Sequence, residues 1–250
     1  MIILDLNNLK KDILGISPKS LALVIAVYLY GSAARGDNDD NSDYDILVCF
    51  DQCSDEKLEE LKKDFSEHFL PSKCEFAFYS LDILKQMQNK GSYFLWHIKN
   101  EGVLLYQSSS TFADLLKDLP FYKGTIDDLL EYKDILFDVE QSLVLDDVTV
   151  VYDLSVLATL ARNICISCCY MMGKMDFGRK SPILKMSDYF GEEFPFTLEE
   201  YLSLYKFRLH VVRDVSIDKL VGLTDFAKQW VKRIKKLLEL AFQMEGTKIC

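Results

Sequence analysis

Apolar positions change their spacing part-way along the chain. Leu21 to Tyr30 is an unbroken apolar run containing β-branched residues, the pattern of a strand buried on both faces. Asp43 to Phe50 and Cys74 to Tyr79 read as second and third strands. Between these two, Ser54 to Phe69 opens on acidic residues and places Leu58, Leu61, Phe65 and Phe69 at helical spacing, which predicts an amphipathic crossover helix. Leu81 to Lys99 carries a helical pattern broken near Gly91, and Gly102 to Tyr106 predicts a short last strand. Ser108–Ser110 and the stretch from Pro120 to Gly124 then interrupt the patterning. Beyond them the spacing is helical throughout: Ile126–Leu145, Val151–Met172, Thr197–Val212 and Thr224–Met244. Thr197-Leu198-Glu199-Glu200 has the form of a capping box, and Gly173 stands where a helix-ending glycine belongs. The expected fold is α+β: a mixed sheet flanked by helices over residues 1–110, and a helical bundle over residues 120–250.

Composition narrows the class. Hydrophobic residues make up 49% of the 250 positions and charged residues 27%, which excludes a largely disordered chain. The start of the sequence reaches Asp5 and Lys10 without a basic leader and a long apolar stretch, and the run Leu21–Tyr30 is too short to cross a bilayer, so a cytoplasmic protein without a membrane partner is expected. Seven irregularly spaced cysteines fit reduced, buried thiols. Cys165, Cys168 and Cys169 share a helical face but lack a fourth ligand, and packing explains them better than zinc. A net charge of −10 argues against a general nucleic-acid binder and suits a cationic small substrate or a protein partner.

The chemistry concentrates between Tyr30 and Val48. A buried strand runs into Gly31-Ser32 and then into the helix formers Ala33, Ala34 and Arg35, so backbone amides and a hydroxyl can converge on phosphate oxygens. Asp43 and Asp45, two apart on a strand, should project from one face with Tyr44 and Ile46 on the other. Two such carboxylates repel unless a cation lies between them, and Mg2+ shared with substrate phosphates is the usual resolution.

Gly31-Ser32-x-Ala34-Arg35-Gly36 followed by Ser42-Asp43-x-Asp45 resembles the signature of the polymerase β-like nucleotidyltransferases, closest to the branch with the aminoglycoside nucleotidyltransferases and the minimal nucleotidyltransferases of toxin–antitoxin pairs. The resemblance implies a Mg2+-dependent enzyme. A nucleoside triphosphate, ATP or another, would lie on Gly31, Ser32 and Arg35, with two metal ions on Asp43, Asp45 and a third acid. A nucleoside monophosphate would pass to a hydroxyl and release pyrophosphate. Glu75 is the carboxylate of the third strand, on the face of Ala77 and Tyr79 and opposite Phe76 and Phe78. The resemblance gives it either metal binding or the role of general base. Asp82 is expected to cap the following helix instead.

The same resemblance gives the helical half the acceptor pocket. Leu157 to Ile164 followed by Gly173-Lys174 is similar to the helical domain of streptomycin/spectinomycin-type adenylyltransferases, and Lys206, Arg208 and Arg213 are candidates to reach a triphosphate. Cys168 and Cys169 stand where the histidine of an Arg-to-His ribonuclease pattern beginning at Arg162 would be needed. The histidines, His68, His97 and His210, have no metal-binding spacing and read as structural or surface residues. The expected acceptor is a small hydroxylated molecule, with an aminoglycoside as the leading case and antibiotic resistance as the consequence. A protein acceptor of the toxin–antitoxin kind and a nucleotide-binding module without turnover are the alternatives.

Overall fold

In the computed structural model, which describes residues 6–38, 42–69, 74–145, 148–213, 216 and 222–246, the buried run becomes strand β1 (Val24–Tyr30). Helices α1 (Leu6–Gly15) and α2 (Pro18–Leu21) precede it, and α3 (Gly31–Arg35) follows it without a break. Then come β2 (Tyr44–Phe50), α4 (Asp55–His68), β3 (Cys74–Ser80), α5 (Leu81–Lys90), α6 (Tyr93–Glu101), β4 (Val103–Gln107) and α7 (Thr111–Lys117). The second half is helical among the described residues: α8 (Thr125–Leu145), α9 (Val150–Met171), α10 (Ser181–Phe190), α11 (Leu198–Arg213) and α12 (Leu223–Gly246). The chain divides into two compact units, Met1–Lys123 and Gly124–Cys250.

The first unit is built on a mixed four-stranded sheet in the order β3-β2-β1-β4. Strand β1 runs antiparallel to β2 and β4, while the α4 crossover makes β2 and β3 parallel. One face carries Val27, Leu29, Ile46 and Val48, buried against Leu9 and Ile13 of α1 and Leu61 and Phe65 of α4. Phe65 meets Phe76 and Phe78 at ring distances of 5.6 and 5.5 Å, so the Phe76/Phe78 face of β3 belongs to this core. The other face carries Tyr28, Tyr30 and Tyr79. Phe112 of α7 covers Tyr28 edge-on at 5.5 Å, and Phe94 of α6 lies 5.6 Å from Tyr30 and 5.5 Å from Tyr79.

In the second unit α9 is the axis. It is apolar around most of its circumference, with Leu154, Leu157, Ala158, Ala161, Ile164, Cys165, Cys168 and Cys169 all at 0% exposure, because α8, α10, α11 and α12 pack around it. Among the described residues it is the helix long and apolar enough to cross a membrane, yet 78% of that apolar window is buried inside the unit, as in a core helix. The capping box is present: Glu200 N–H donates to Thr197 Oγ1 (3.2 Å) and Thr197 N–H donates to Glu200 Oε2 (2.8 Å). Gly173 takes φ +69° and closes α9 through bonds from Gly173 N–H to the Tyr170 carbonyl and from Lys174 N–H to the Cys169 carbonyl, both 2.9 Å.

Candidate active site

Sheet register assembles the site. Tyr30 pairs with Asp45 across β1 and β2, and Asp45 pairs with Glu75 across β2 and β3. Residues directly opposite in a ladder project to the same side, so Tyr30, Asp45 and Glu75 form one row, on the Tyr28 and Tyr79 face of the sheet. The placement of Glu75 opposite Phe76 and Phe78 agrees with its alternation in the sequence. Burial pushes the Tyr30 phenol well above its ordinary value, and the nearby charges of Asp45, Tyr79 and Glu75 push it the same way. Tyr30 is therefore a neutral hydroxyl beside these carboxylates, and pattern reasoning missed it because it ends an apolar run.

Gly31 sits against the middle of this row. Its φ is +73°, and a Cβ placed there would lie 2.0 Å from Asp45 Oδ2, a distance no side chain tolerates. Glycine is thus required twice, for backbone conformation and for the approach of the Asp45 carboxylate. Half-buried Ser32 follows as the second residue of α3, in the turn whose first amides have no partner within the helix. Asp43 is placed slightly differently from expectation. Strand β2 begins at Tyr44, so Asp43 lies in the segment entering the strand rather than on it, half-buried like Asp45. Residues 39–41 of the expected loop lie outside the described residues.

Among the described residues no three His, Cys, Asp or Glu side chains are grouped so that they could hold a metal ion, so Asp43, Asp45 and Glu75 are not gathered around one point. Each of the three carries a carboxylate, the type of donor that suits Mg2+. That ion takes hard oxygen ligands, commonly one or two carboxylates with water and substrate phosphates completing the shell.

Arg35, expected at the phosphate, pairs here with carboxylates: Nη1 donates to Glu101 Oε2 at 2.6 Å and Nε donates to Asp37 Oδ1 at 3.2 Å. Burial draws the Arg35 guanidinium down, and the Glu101 and Asp37 carboxylates outweigh it and hold it above its ordinary value. His97, expected to be a structural or surface residue, is a structural one: it lies 2.9 Å from the same Glu101 oxygen and packs edge-on against Tyr30 at 5.5 Å. The helix after β3 is capped by Ser80, which accepts from Ile83 N–H at 3.4 Å, while Asp82 lies in the first turn and pairs with Lys85.

The helical unit has a basic face of its own. Arg162 on α9 donates to the carbonyls of Phe177 and Gly178, Arg208 on α11 donates to Thr159 Oγ1 at 2.8 Å, and the Arg179 guanidinium lies 5.1 Å from the Tyr205 ring. Tyr201 is fully buried on this side without a hydrogen-bond partner for its hydroxyl; burial pushes that phenol up, and the Arg162 and Arg179 charges act in the opposite direction. Buried Asp176 shapes the loop, accepting from Gly178 N–H (2.9 Å) and Ser181 Oγ (2.7 Å) and pairing with Lys185 (2.7 Å). Of the expected bases Arg208 belongs to this face, Lys206 is exposed, and the side chain of Arg213 lies outside the described residues. Cys165, Cys168 and Cys169 are sealed in the core, and burial pushes the Cys168 and Cys169 thiols up to about 12 and that of Cys165 well above its ordinary value.

Residues 18–111 match the family model described as polymerase beta, nucleotidyltransferase, a stretch that holds Gly31, Ser32, Asp43, Asp45 and Glu75. No curated protein matches the sequence. Among solved structures, a spectinomycin adenyltransferase from Enterococcus faecialis, with ATP and spectinomycin, aligns over 92% of this chain and 97% of its own at 16% identity and a TM-score of 0.50. A toxin–antitoxin structure with AMP-PNP aligns over 55% of this chain and 99% of its own at 21% identity and a TM-score of 0.33. A mutant of the MntA–HpeT toxin–antitoxin pair aligns over 55% and 99% at 18% identity and a TM-score of 0.31.

Proposed function

We propose, from the premise that residues 18–111 are a nucleotidyltransferase domain of the polymerase β family, that the chain moves a nucleoside monophosphate from a nucleoside triphosphate to a hydroxyl of a small cationic acceptor. AMP from ATP and an acceptor of the aminoglycoside class are the leading case. The observation that carries the reading is the row Tyr30–Asp45–Glu75 laid directly against Gly31–Ser32. A row carrying carboxylates beside a glycine-serine turn that opens a helix suits one substrate class, a polyphosphate carried with Mg2+. The net charge of −10 favours a cationic acceptor. The solved adenyltransferase that shares the fold over both units is one whose structure holds ATP and spectinomycin.

In this reading the Gly31 and Ser32 amides and the Ser32 hydroxyl hold the triphosphate, and Asp43 and Asp45 hold Mg2+. The bound ion would neutralise phosphate charge and stabilise the departing pyrophosphate. The acceptor oxygen forms a bond to the α-phosphorus as the bond from that phosphorus to the bridging oxygen breaks, and pyrophosphate leaves with the bridging oxygen. The acceptor proton passes to a carboxylate, for which Glu75 is the assigned base. Tyr30 lies in the same row with its phenol neutral.

The test is pyrophosphate release from each nucleoside triphosphate with Mg2+, with and without a panel of aminoglycosides. Release that needs one triphosphate and one acceptor, and disappears in Asp45→Ala, supports the reading. Transfer of labelled nucleotide to a protein, with no small acceptor modified, overturns the assigned acceptor class.

A further inference from the structure

We infer that Glu101 is a positioning residue for the Gly31–Ser32 turn, acting on it through Arg35 and His97. The inference rests on the nucleotidyltransferase reading of that turn.

Helix α3 has only five residues, too few to hold itself in place, and it carries the turn at its first residue and Arg35 at its last. Both ends of this unit are gripped by α6. At the far end, Arg35 Nη1 donates to Glu101 Oε2 at 2.6 Å. At the near end, His97 packs edge-on against Tyr30, the residue immediately before Gly31, at 5.5 Å, and Phe94 does the same at 5.6 Å. The two grips meet on one atom. His97 Nε2 lies 2.9 Å from the same Glu101 Oε2, so a single carboxylate oxygen accepts from the guanidinium and from the imidazole. With its proton on Nε2 and given to Glu101, His97 has no lone pair there to accept from Arg35, and the 3.3 Å approach of Arg35 Nη1 to His97 Nε2 is then a packing contact imposed by their common acceptor.

The cluster is sheltered. Side-chain exposures are 18% for Arg35, 17% for His97 and 13% for Glu101, so water does not readily replace any partner. The opposite edge of the guanidinium is fixed by Asp37, just past the end of α3. Glu101 is the last residue of α6, ahead of β4, which pairs with β1. The carboxylate therefore ties the phosphate turn to the sheet by a second route, independent of the β1 backbone that leads into Gly31. Without it, α3 would keep its link to β1, the contact of Gly31 with Asp45 and the buried Ala33, but lose the hold on its last residue.

The experiment is a double-mutant cycle of Glu101→Gln and Arg35→Gln, read as the Kd of Mg2+–ATP by calorimetry, well below the melting temperature of every variant. Thermal unfolding is recorded in parallel. Each single variant is expected to weaken nucleotide binding about tenfold, and the double variant no more than either, because touching residues acting as a unit are not additive. A purely structural Glu101 would lower the melting temperature and leave Kd unchanged, which overturns the inference. Additive losses would overturn it too. Folded wild type that binds no nucleotide defeats the nucleotidyltransferase reading itself, and the inference with it, and differs from the other outcomes by appearing in the parent protein.

Discussion

Replacing Gly31 by alanine isolates the central contact of the site. The new Cβ meets Asp45 Oδ2 at 2.0 Å, whereas ordinary contact begins at 3.4 Å, so turn and carboxylate must separate by about 1.4 Å. The positive φ of +73° adds a backbone cost of about 1–2 kcal/mol for any residue with a side chain. Gly36→Ala provides the control, because Gly36 has φ +76° and nothing within 4 Å of its would-be Cβ. Both variants carry the backbone penalty, which lowers the melting temperature by about 2–4 °C per kcal/mol in a protein of this size. Only Gly31→Ala moves the Gly31–Ser32 turn against the Asp45 carboxylate, and in the proposed reaction a displacement on the order of 1 Å costs roughly 100-fold. The assay measures thermal unfolding, Mg2+-dependent nucleotide affinity and pyrophosphate release for both variants beside wild type. Both variants are expected to melt below wild type, Gly31→Ala further because it alone carries the clash, with binding and release lost only in Gly31→Ala at a temperature where both are folded. Equal nucleotide affinity in the two variants would refute the reasoning.

Other predictions follow from the same geometry. Glu75→Gln should reduce pyrophosphate release by roughly 100-fold or more while leaving Mg2+-dependent nucleotide affinity near wild type if the residue takes the acceptor proton; lost affinity would make it a metal ligand instead. The Glu101 carboxyl lies below its ordinary value because, although burial raises it, His97 and Arg35 lower it by more. A carboxyl lowered on folding stabilises the native state above its ordinary value of 4.5 and loses that contribution as pH falls through the native value. Acidification below about pH 4.5 should therefore lower the wild-type melting temperature more steeply than that of Glu101→Gln. Cys165, Cys168 and Cys169 should resist a thiol reagent at neutral pH in the native protein and react after denaturation, since their thiols are buried and far from ionised. Thr197→Ala should cost about 1 kcal/mol in unfolding experiments through the lost capping box, with no effect on nucleotide affinity.

Local chemistry was legible in the sequence; distant pairing was not. The Gly31-Ser32 turn and the Asp43-x-Asp45 pair could be read because each consists of neighbours whose geometry follows from a few dihedral angles. All four strands were predicted within a few residues, since apolar runs and breakers mark them. The row itself depends on sheet register, which brings Tyr30 beside Asp45 and Asp45 beside Glu75, and register forms between segments far apart in the chain. The partner of Arg35 was hidden for the same reason, because Glu101 is 66 residues away. Helices α1, α7 and α10 escaped for a different one. They have 10, 7 and 10 residues, too few turns for a stripe to stand out, and α7 and α10 begin among serine or proline residues that read as loop. Packing makes them helical: Ile13, Phe112 and Ile183 are each at 0% exposure.

The most direct test of the account is calorimetric binding of ATP with and without Mg2+ to wild type and Asp45→Asn. The account predicts binding that requires Mg2+ in wild type and is lost in a variant that melts at the wild-type temperature. Equal binding by the two proteins, or binding indifferent to Mg2+, would contradict the placement of the metal-bound triphosphate on the row beside Gly31.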